Sequence, residues 1–447
     1  MSSGPGADSA PVPDKPLDNS TRPTGTFASL KIRNYRIFFL CNVVSNTGTW
    51  MQRITQDWLV HHLTGSATAV GVTTALQFLP TLLFGLYGGV LADRLDKRRI
   101  LLATQAAMGL IGLSLAALTL SGVVNVYHVY TLAFLLGLVT VMDKPARQTF
   151  VSEMVGPHLL RNAVSLNSAN FQSARLIGPA IAGVVITAVG SGWAFLVNGL
   201  GFAAPITGLL LMRTEELIPS ERIPRGKGQL REGLRYVGSR PELLWAIVLV
   251  GFIGTFGFNF PVFLVAFSDH VFHADAGGFG VLNSLVAVGS VAGALFAANR
   301  GGRWLRFSII SGAVFGVLLV VSAAAPAYVV FAALMVPVGL SSMSFVVSAN
   351  SGVQLASEPV MRGRVVSLFT MVLLGSTPIG GPLTGWLTDA YGPRVALLAG
   401  GAICALSALG IALVLARIGG LRLRITRRGG RRTLAFVPAD TGLRLGR

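Results

Sequence analysis

Gly89-Val90-Leu91-Ala92-Asp93-Arg94-Leu95-Asp96-Lys97-Arg98-Arg99 joins two apolar runs, about 67–92 and 99–121. At 1.5 Å of rise per residue, either run is long enough to cross a hydrocarbon core of about 30 Å. Between them the chain places Asp93, Arg94, Asp96, Lys97, Arg98 and Arg99 within seven residues. Such a turn cannot sit in lipid, so the stretch reads as a hairpin of two membrane helices with its loop in water. Its basic excess assigns that loop to the cytoplasmic side.

Working outward, apolar runs of the same kind recur. The expected helices are 35–63, 67–92, 99–121, 127–149, 162–188, 193–212, 242–268, 277–298, 305–323, 327–350, 364–388 and 394–416. The chain is 52% hydrophobic and only 12% charged, about half the charged fraction of a soluble domain. Its net charge of +18 would suit nucleic acid if the basic residues formed one patch. They instead fall between apolar runs and on one side of them: Arg33 and Arg36, the 94–99 cluster, Arg161, the central stretch, Arg300 to Arg306, Arg362 and Arg364, and the tail after Arg417. The opposite side holds Arg394 alone. This pattern implies an even helix number, both termini cytoplasmic, and no nucleic-acid partner.

The expected organisation is a disordered cytoplasmic tail (1–28), a six-helix bundle (29–213), a cytoplasmic linker (214–241), a second six-helix bundle (242–416) and an Arg-rich cytoplasmic tail (417–447). Within the linker, Gln229–Val237 has the pattern of a short amphipathic surface helix. The first tail lacks the basic-then-apolar layout of a signal peptide. The halves repeat one another. Gly48-Thr49 matches Gly254-Thr255, Ala92-Asp93-Arg94 matches Ala298-Asn299-Arg300, Val164-Ser165-Leu166 matches Val366-Ser367-Leu368, and Gly178-Pro179 matches Gly381-Pro382. A common order and a spacing of roughly 205 residues indicate two parallel repeats of six helices.

With these features the chain resembles the major facilitator superfamily, whose loop after the second helix has Gly, Asp-Arg, a second Gly and basic residues; Asp96 stands in place of that second Gly. Within the superfamily it is similar to the enterobactin-exporter and secretion-effector branch through Asn34-Tyr35-Arg36, Gly48-Thr49-Trp50-Met51-Gln52, Gln56-Asp57-Trp58 and Pro145-Ala146-Arg147-Gln148. The resemblance covers about 30–416. It implies an all-α fold of about twelve transmembrane helices in two pseudo-symmetric halves. It also implies a cytoplasmic gate at Gly89, Asp93, Arg94, Lys97, Arg98 and Arg147, with Asp93 latching the halves when the carrier faces out. Gly178-Pro179-Ala180-Ile181-Ala182-Gly183 resembles the antiporter signature of the fifth helix, with Ser165, Ala174 and Ala182 standing where that pattern has glycines. Gly178, Pro179 and Gly183 are therefore the expected packing signature.

The residues add a second layer. Asn42, Ser45, Asn46, Thr49, Arg53 and Gln56 recur at helical spacing in the first span, and a polar stripe on a membrane helix must face protein or a wet cavity. Arg53 and Asp57, four apart, can form an ion pair, and Asp57 is the first candidate for proton coupling, as opposed to a purely structural pair. Ser165, Ser168, Gln172 and Arg175 form a second stripe. Arg175 near mid-membrane needs a carboxylate, a carbonyl or an anionic ligand. Asp143 can pair with Arg147 and joins Asp57, Arg53 and Arg175 in the candidate proton-coupling and cavity set, as the next carboxylate after Asp57; by the resemblance, an acid here contacts the cluster around Lys97. The second half has no ionisable group deep in a span, so Phe256, Asn259 and Ser344 join Asn46, Thr49, Gln56 and Gln172 as candidate cavity residues.

No P-loop is present, and no nucleophile–base–orienter set is recognisable. Cys41 and Cys404 lie in separate apolar runs, giving neither a disulfide framework nor a metal motif. Asp269-His270-Val271-Phe272-His273-Ala274-Asp275 has metal-capable side chains, but exposed loops collect these by chance, so no metal and no cofactor are expected. The function implied is proton-coupled export of a drug, siderophore or other small metabolite by a monomer in a bacterial inner membrane. An importer on the same fold is the second reading, a non-transporting receptor the third.

Overall fold

A computed structural model describes residues 27–218, 229–298, 304–418, 421–428 and 431–438. The membrane part is helical throughout: α1 (Arg33–Thr64), α2 (Ala67–Arg94), α3 (Lys97–Leu120), α4 (Val126–Gly156), α5 (His158–Val189) and α6 (Ser191–Leu211) form the first half. After a surface helix, α7 (Gln229–Gly238), the second half comprises α8 (Pro241–Val271), α9 (Ala276–Ala298), α10 (Trp304–Ala323), α11 (Tyr328–Ala356), α12 (Pro359–Tyr391) and α13 (Pro393–Ile418). Beyond α13, β1 (Leu421–Arg428) and β2 (Arg431–Pro438) pair antiparallel, Leu421 opposite Pro438. Within the expected Arg-rich tail the backbone thus forms a hairpin. Apart from residues 27 and 28, the expected N-terminal tail lies outside the described residues.

Eleven of the described segments are long and apolar enough to cross a bilayer. The twelfth, α1, is 32 residues long but too polar to pass a hydropathy test, because its amphipathicity is inside out. Leu40 and Val44 on its outer face are 58% and 46% exposed, whereas Asn42, Ser45, Gln52, Gln56 and Asp57 are buried. A helix in lipid turns its polar stripe to the protein interior.

Helix ends follow local chemistry. Asp96, where the superfamily pattern has glycine, is the N-cap of α3, and its carboxylate accepts from the Arg99 N–H at 3.0 Å. That bond satisfies an orphan donor at the helix start. Gly65 ends α1 at φ 63°, a conformation open to glycine at little steric cost. Gly156, at φ 66°, kinks the chain between α4 and α5 with hardly a break in helical pairing. The polar residues of 150–161 suggested a longer loop there; the helices instead continue through the stretch, as they do at 351–363, where α11 and α12 nearly meet.

Between the halves, α2 packs along α12 and α5 along α9. Two ends of the bundle can be named by their turns: the Gly65 end, with the α1–α2 turn, and the Asp96 end, with the α2–α3 turn. Near the Gly65 end the backbones nearly touch. A Cβ on Gly381 would lie 2.7 Å from the Gly71 carbonyl, and one on Gly280 would lie 2.6 Å from that of Pro179. Within the second half, a Cβ on Gly293 would lie 2.8 Å from the Leu340 carbonyl carbon. Gly293→Leu should therefore lower stability by about 1–3 kcal/mol or more, read as a drop in the thermal midpoint of the solubilised protein. An unchanged midpoint would contradict the α9–α11 approach.

Candidate functional site

Between the halves lies a cavity of about 220 Å³. Its first wall carries Trp50, Arg53 and Asp57 from α1, Gln77 and Phe78 from α2, and Arg175 and Pro179 from α5. The facing wall is uncharged, with Phe258, Phe260, Asn283 and Thr377. The α1 stripe supplies Trp50, Arg53 and Asp57 at intervals of three and four, so one helix face delivers all three.

Trp50 stands between two cations: the Arg53 guanidinium carbon is 5.4 Å from its ring centroid and that of Arg175 is 5.7 Å. Arg53 also lies 5.3 Å from Phe78. These distances are in the range of cation–π attraction. The expected Arg53–Asp57 ion pair is not formed; the two remain in electrostatic reach, but no contact within 4.0 Å joins them. Arg53 is drawn onto the aromatic faces instead, and its buried Nε has no hydrogen-bond partner. Asp57 is 3% exposed, so a carboxylate and two guanidinium groups share one enclosed volume without direct pairing.

The other expected cavity residues sit elsewhere. Asn46, Thr49, Gln56 and Gln172 are not in the cavity wall. Thr49 bonds back to the Ser45 carbonyl, and Gln56 accepts from Gln77, which does line the cavity. Phe256 stacks on Phe252. Ser344 donates to the Gly293 carbonyl at the α9–α11 crossing. Asn259 supports the backbone. The helix α8 is interrupted at 257–259, and the Asn259 amide donates to the Thr255 carbonyl at 2.6 Å and to Thr384 Oγ1 at 2.8 Å. It satisfies backbone freed by the break, as non-helical backbone at membrane depth requires. That break carries Phe258 and Phe260 into the cavity wall.

Toward the Asp96 end, Asp143 is buried in a bonded network and lies outside the cavity. Arg147 pairs with it at 3.1 Å, Thr104 and Gln105 donate to it at 2.9 and 2.7 Å, and Arg147 also reaches Asn42. Lys97 pairs with Glu153, so Glu153, and not Asp143, is the acid that meets the basic cluster. Arg98 donates to the Leu209 and Leu210 carbonyls. These contacts all lie within the first half. Gly89 and the side chains of Asp93 and Arg94 lie outside the described residues, although the α2 backbone runs to Arg94.

Gly178 packs on α1, where an added Cβ would lie 2.6 Å from Trp50 Cβ, and Gly183 packs on α9 beside Ala276 and Gly280. The signature thus lies in the seam between α1, α5 and α9. At the Gly65 end, polar contacts tie the halves together. His61 Nε2 is 2.9 Å from Asp269 Oδ2. Asp389 of α12 accepts from Ser66 Oγ (2.6 Å), Ala67 N (2.8 Å), Thr68 N (3.0 Å) and Thr68 Oγ1 (2.6 Å) at the start of α2. Sequence reasoning missed Asp389. Its signal was an isolated carboxylate at the end of a span, opposite Ser66-Ala67-Thr68 at the start of another.

Two six-helix halves around a central cavity that holds charged side chains, with a broken helix in its wall, are the arrangement of the major facilitator fold. Residues 24–422 match the profile of the transmembrane secretion effector family, and the chain belongs to that family. It is 25% identical over 366 residues to the staphyloferrin A transporter of Staphylococcus aureus, covering 80% of this chain and 90% of that one. It is 26% identical over 368 residues to the multidrug efflux pump Tap of Mycolicibacterium fortuitum, again 80% and 90%. In three dimensions it is similar to a bacterial homolog of the human lysosomal transporter Spinster in an inward-facing, occupied conformation, with a TM-score of 0.68 at 12% identity over 88% of this chain and 97% of the other. A POT family transporter in complex with 5-aminolevulinic acid gives 0.69 at 11% identity, over 86% and 96%. The protein is a multi-pass membrane transporter of small molecules and not an enzyme.

Proposed function

We propose that the chain exports small organic molecules against their gradient in exchange for protons, by alternating access across a bacterial inner membrane. The observation that carries this reading is Asp57, a buried carboxylate with no ion-pair partner among the described residues, in a cavity between halves that are clasped at the Gly65 end. A carboxylate there can load and release a proton as the cavity changes the side it faces. Arg53 and Arg175 supply the counter-charge. The names of the relatives, efflux pumps and a siderophore transporter, favour outward transport.

In this reading the Asp96 end is cytoplasmic and the Gly65 end external, as the basic loops require. On this orientation the contacts of His61 with Asp269 and of Asp389 with the start of α2 close the outer side. Asp93 is the proposed inner latch that forms when the outer side opens, with Lys97, Arg98 and Arg147 holding the first half rigid behind it. The working unit is a monomer.

Transport is tested in proteoliposomes loaded with staphyloferrin A, cargo suggested by one relative's name. Imposing a pH gradient should drive its movement and a counterflow of protons; flux indifferent to the gradient would overturn the coupling. Orientation is tested separately. In a cysteine-free background, Val123→Cys, at the Gly65 end, should react with an impermeant maleimide added outside intact cells. Arg99→Cys, at the Asp96 end, should not, and the reverse labelling would invert the topology.

A further inference from the structure

The last turn of the seventh membrane span, α8, carries two adjacent metal-capable side chains, Asp269 and His270. The fold adds a third from 208 residues away: His61, in the last turn of α1, points at the same carboxylate. Asp269 Oδ2 is 2.9 Å from His61 Nε2 and 3.6 Å from His270 Nε2, and the two imidazole rings meet edge on with centroids 4.9 Å apart. All three donor atoms lie within 4.8 Å of one another. Ligands of a tetrahedral zinc ion at about 2.0–2.1 Å stand roughly 3.3 Å apart, so rotamer adjustments suffice to close the set.

Backbone geometry presents these groups. Asp269 and His270 lie in a π turn, Phe267–Val271, closed by the Phe272 N–H bonding to the Phe267 carbonyl at 3.0 Å. Just after it, His273 has φ 50°, the one non-glycine residue with positive φ among those described. A simple gate hydrogen bond needs His61 and Asp269 only and leaves the second imidazole unexplained. Burial is graded as at an ion site: the His61 side chain is 4% exposed, while those of Asp269 and His270 are 48% and 40% exposed and leave a path from solvent.

We propose that His61, Asp269 and His270 form a binding site for a divalent transition cation of the zinc class, clamping the two halves together at the Gly65 end. Two imidazoles and one carboxylate suit such an ion and not magnesium or calcium, which take oxygen ligands. Three protein ligands leave the fourth position to water. Because α1 supplies one ligand and α8 the other two, the set is complete only while that end is closed. That the clamp slows transport rests on the alternating-access reading above; binding itself does not.

The test uses the full chain, purified in detergent, with zinc chloride and magnesium chloride as probes. Micromolar zinc should raise the thermal midpoint by at least about 2 °C, with magnesium inert and a chelator reversing the shift. In His270→Ala, at an exposed position, the zinc concentration for half the shift should rise at least about tenfold; Asp269→Asn should act likewise. No zinc shift in the wild type, or a shift preserved in the His61→Ala/His270→Ala pair, would overturn the site. In proteoliposomes, zinc on the Gly65 side should cut flux reversibly in the wild type and not in His270→Ala. A thermal shift with flux untouched would keep the site and overturn the clamp.

Discussion

Asp57→Asn should bind substrate and exchange it down its own gradient, yet fail to concentrate it when a pH gradient is imposed. Asparagine keeps the size of the side chain and its hydrogen-bonding capacity but cannot release a proton. The surroundings of Asp57 sharpen the expectation, since no ion pair is broken by the change: Arg53 is already held on the Trp50 and Phe78 rings. Binding and thermal stability should therefore stay near wild type while gradient-driven flux falls to that of protein-free vesicles. Had the two residues formed a buried ion pair, removing the carboxylate would have destabilised the fold by about 3–5 kcal/mol. Stability, binding and flux measured on one preparation separate these outcomes. Full gradient-driven flux in Asp57→Asn would exclude it from coupling.

Asp389→Ala should shift the carrier toward opening at the Gly65 end. The carboxylate accepts four hydrogen bonds at the start of α2, where the helix dipole also favours negative charge. Its side chain is exposed, so screening reduces the worth of these bonds to about 1–2 kcal/mol. If they exist only in the closed arrangement, their loss multiplies the open population by about 5- to 30-fold. Thr74, buried in the cavity wall, is the reporter. As Thr74→Cys in a cysteine-free background, it should react faster by that factor with a maleimide supplied from the Gly65 side. Asp389→Asn should give an intermediate rate, and identical rates in all three proteins would remove Asp389 from the gate.

Much of this molecule is legible in its sequence, for a physical reason. In a bilayer every span must satisfy its backbone internally and face lipid with apolar residues. Helix number, the internal repeat and the family therefore follow from runs and loops. The polar stripe of α1 and the mid-membrane Arg175 are visible for the same reason, because charge at that depth is too costly to be incidental. What periodicity could not give is the partner of each group. Nothing in the spacing of Arg53 and Asp57 distinguishes an ion pair from a guanidinium lying on Trp50. Asn259 read as a ligand group because the break in α8 that it satisfies is invisible in an apolar run. Glu153, His61 and Asp389 find their partners only when helices distant in sequence are packed together. Helix ends are hidden at 150–161, where polar residues interrupt the apolar run without ending the helices.

Among the described residues, every ionisable side chain lining the central cavity belongs to the first half, while the wall supplied by the second is aromatic, aliphatic, amide and hydroxyl. Evolution therefore has two surfaces to work on with unequal consequences. On the proton-coupled reading proposed above, exchanging one aromatic or hydroxyl group for another at Phe258, Phe260 or Thr377 would reshape the chamber but leave its charge untouched, so cargo preference could drift without loss of coupling. A change at Arg53, Asp57 or Arg175 alters the charge itself. Paralogues built on this plan should vary the neutral wall freely and keep the charged one, which is how one engine can come to serve many cargoes.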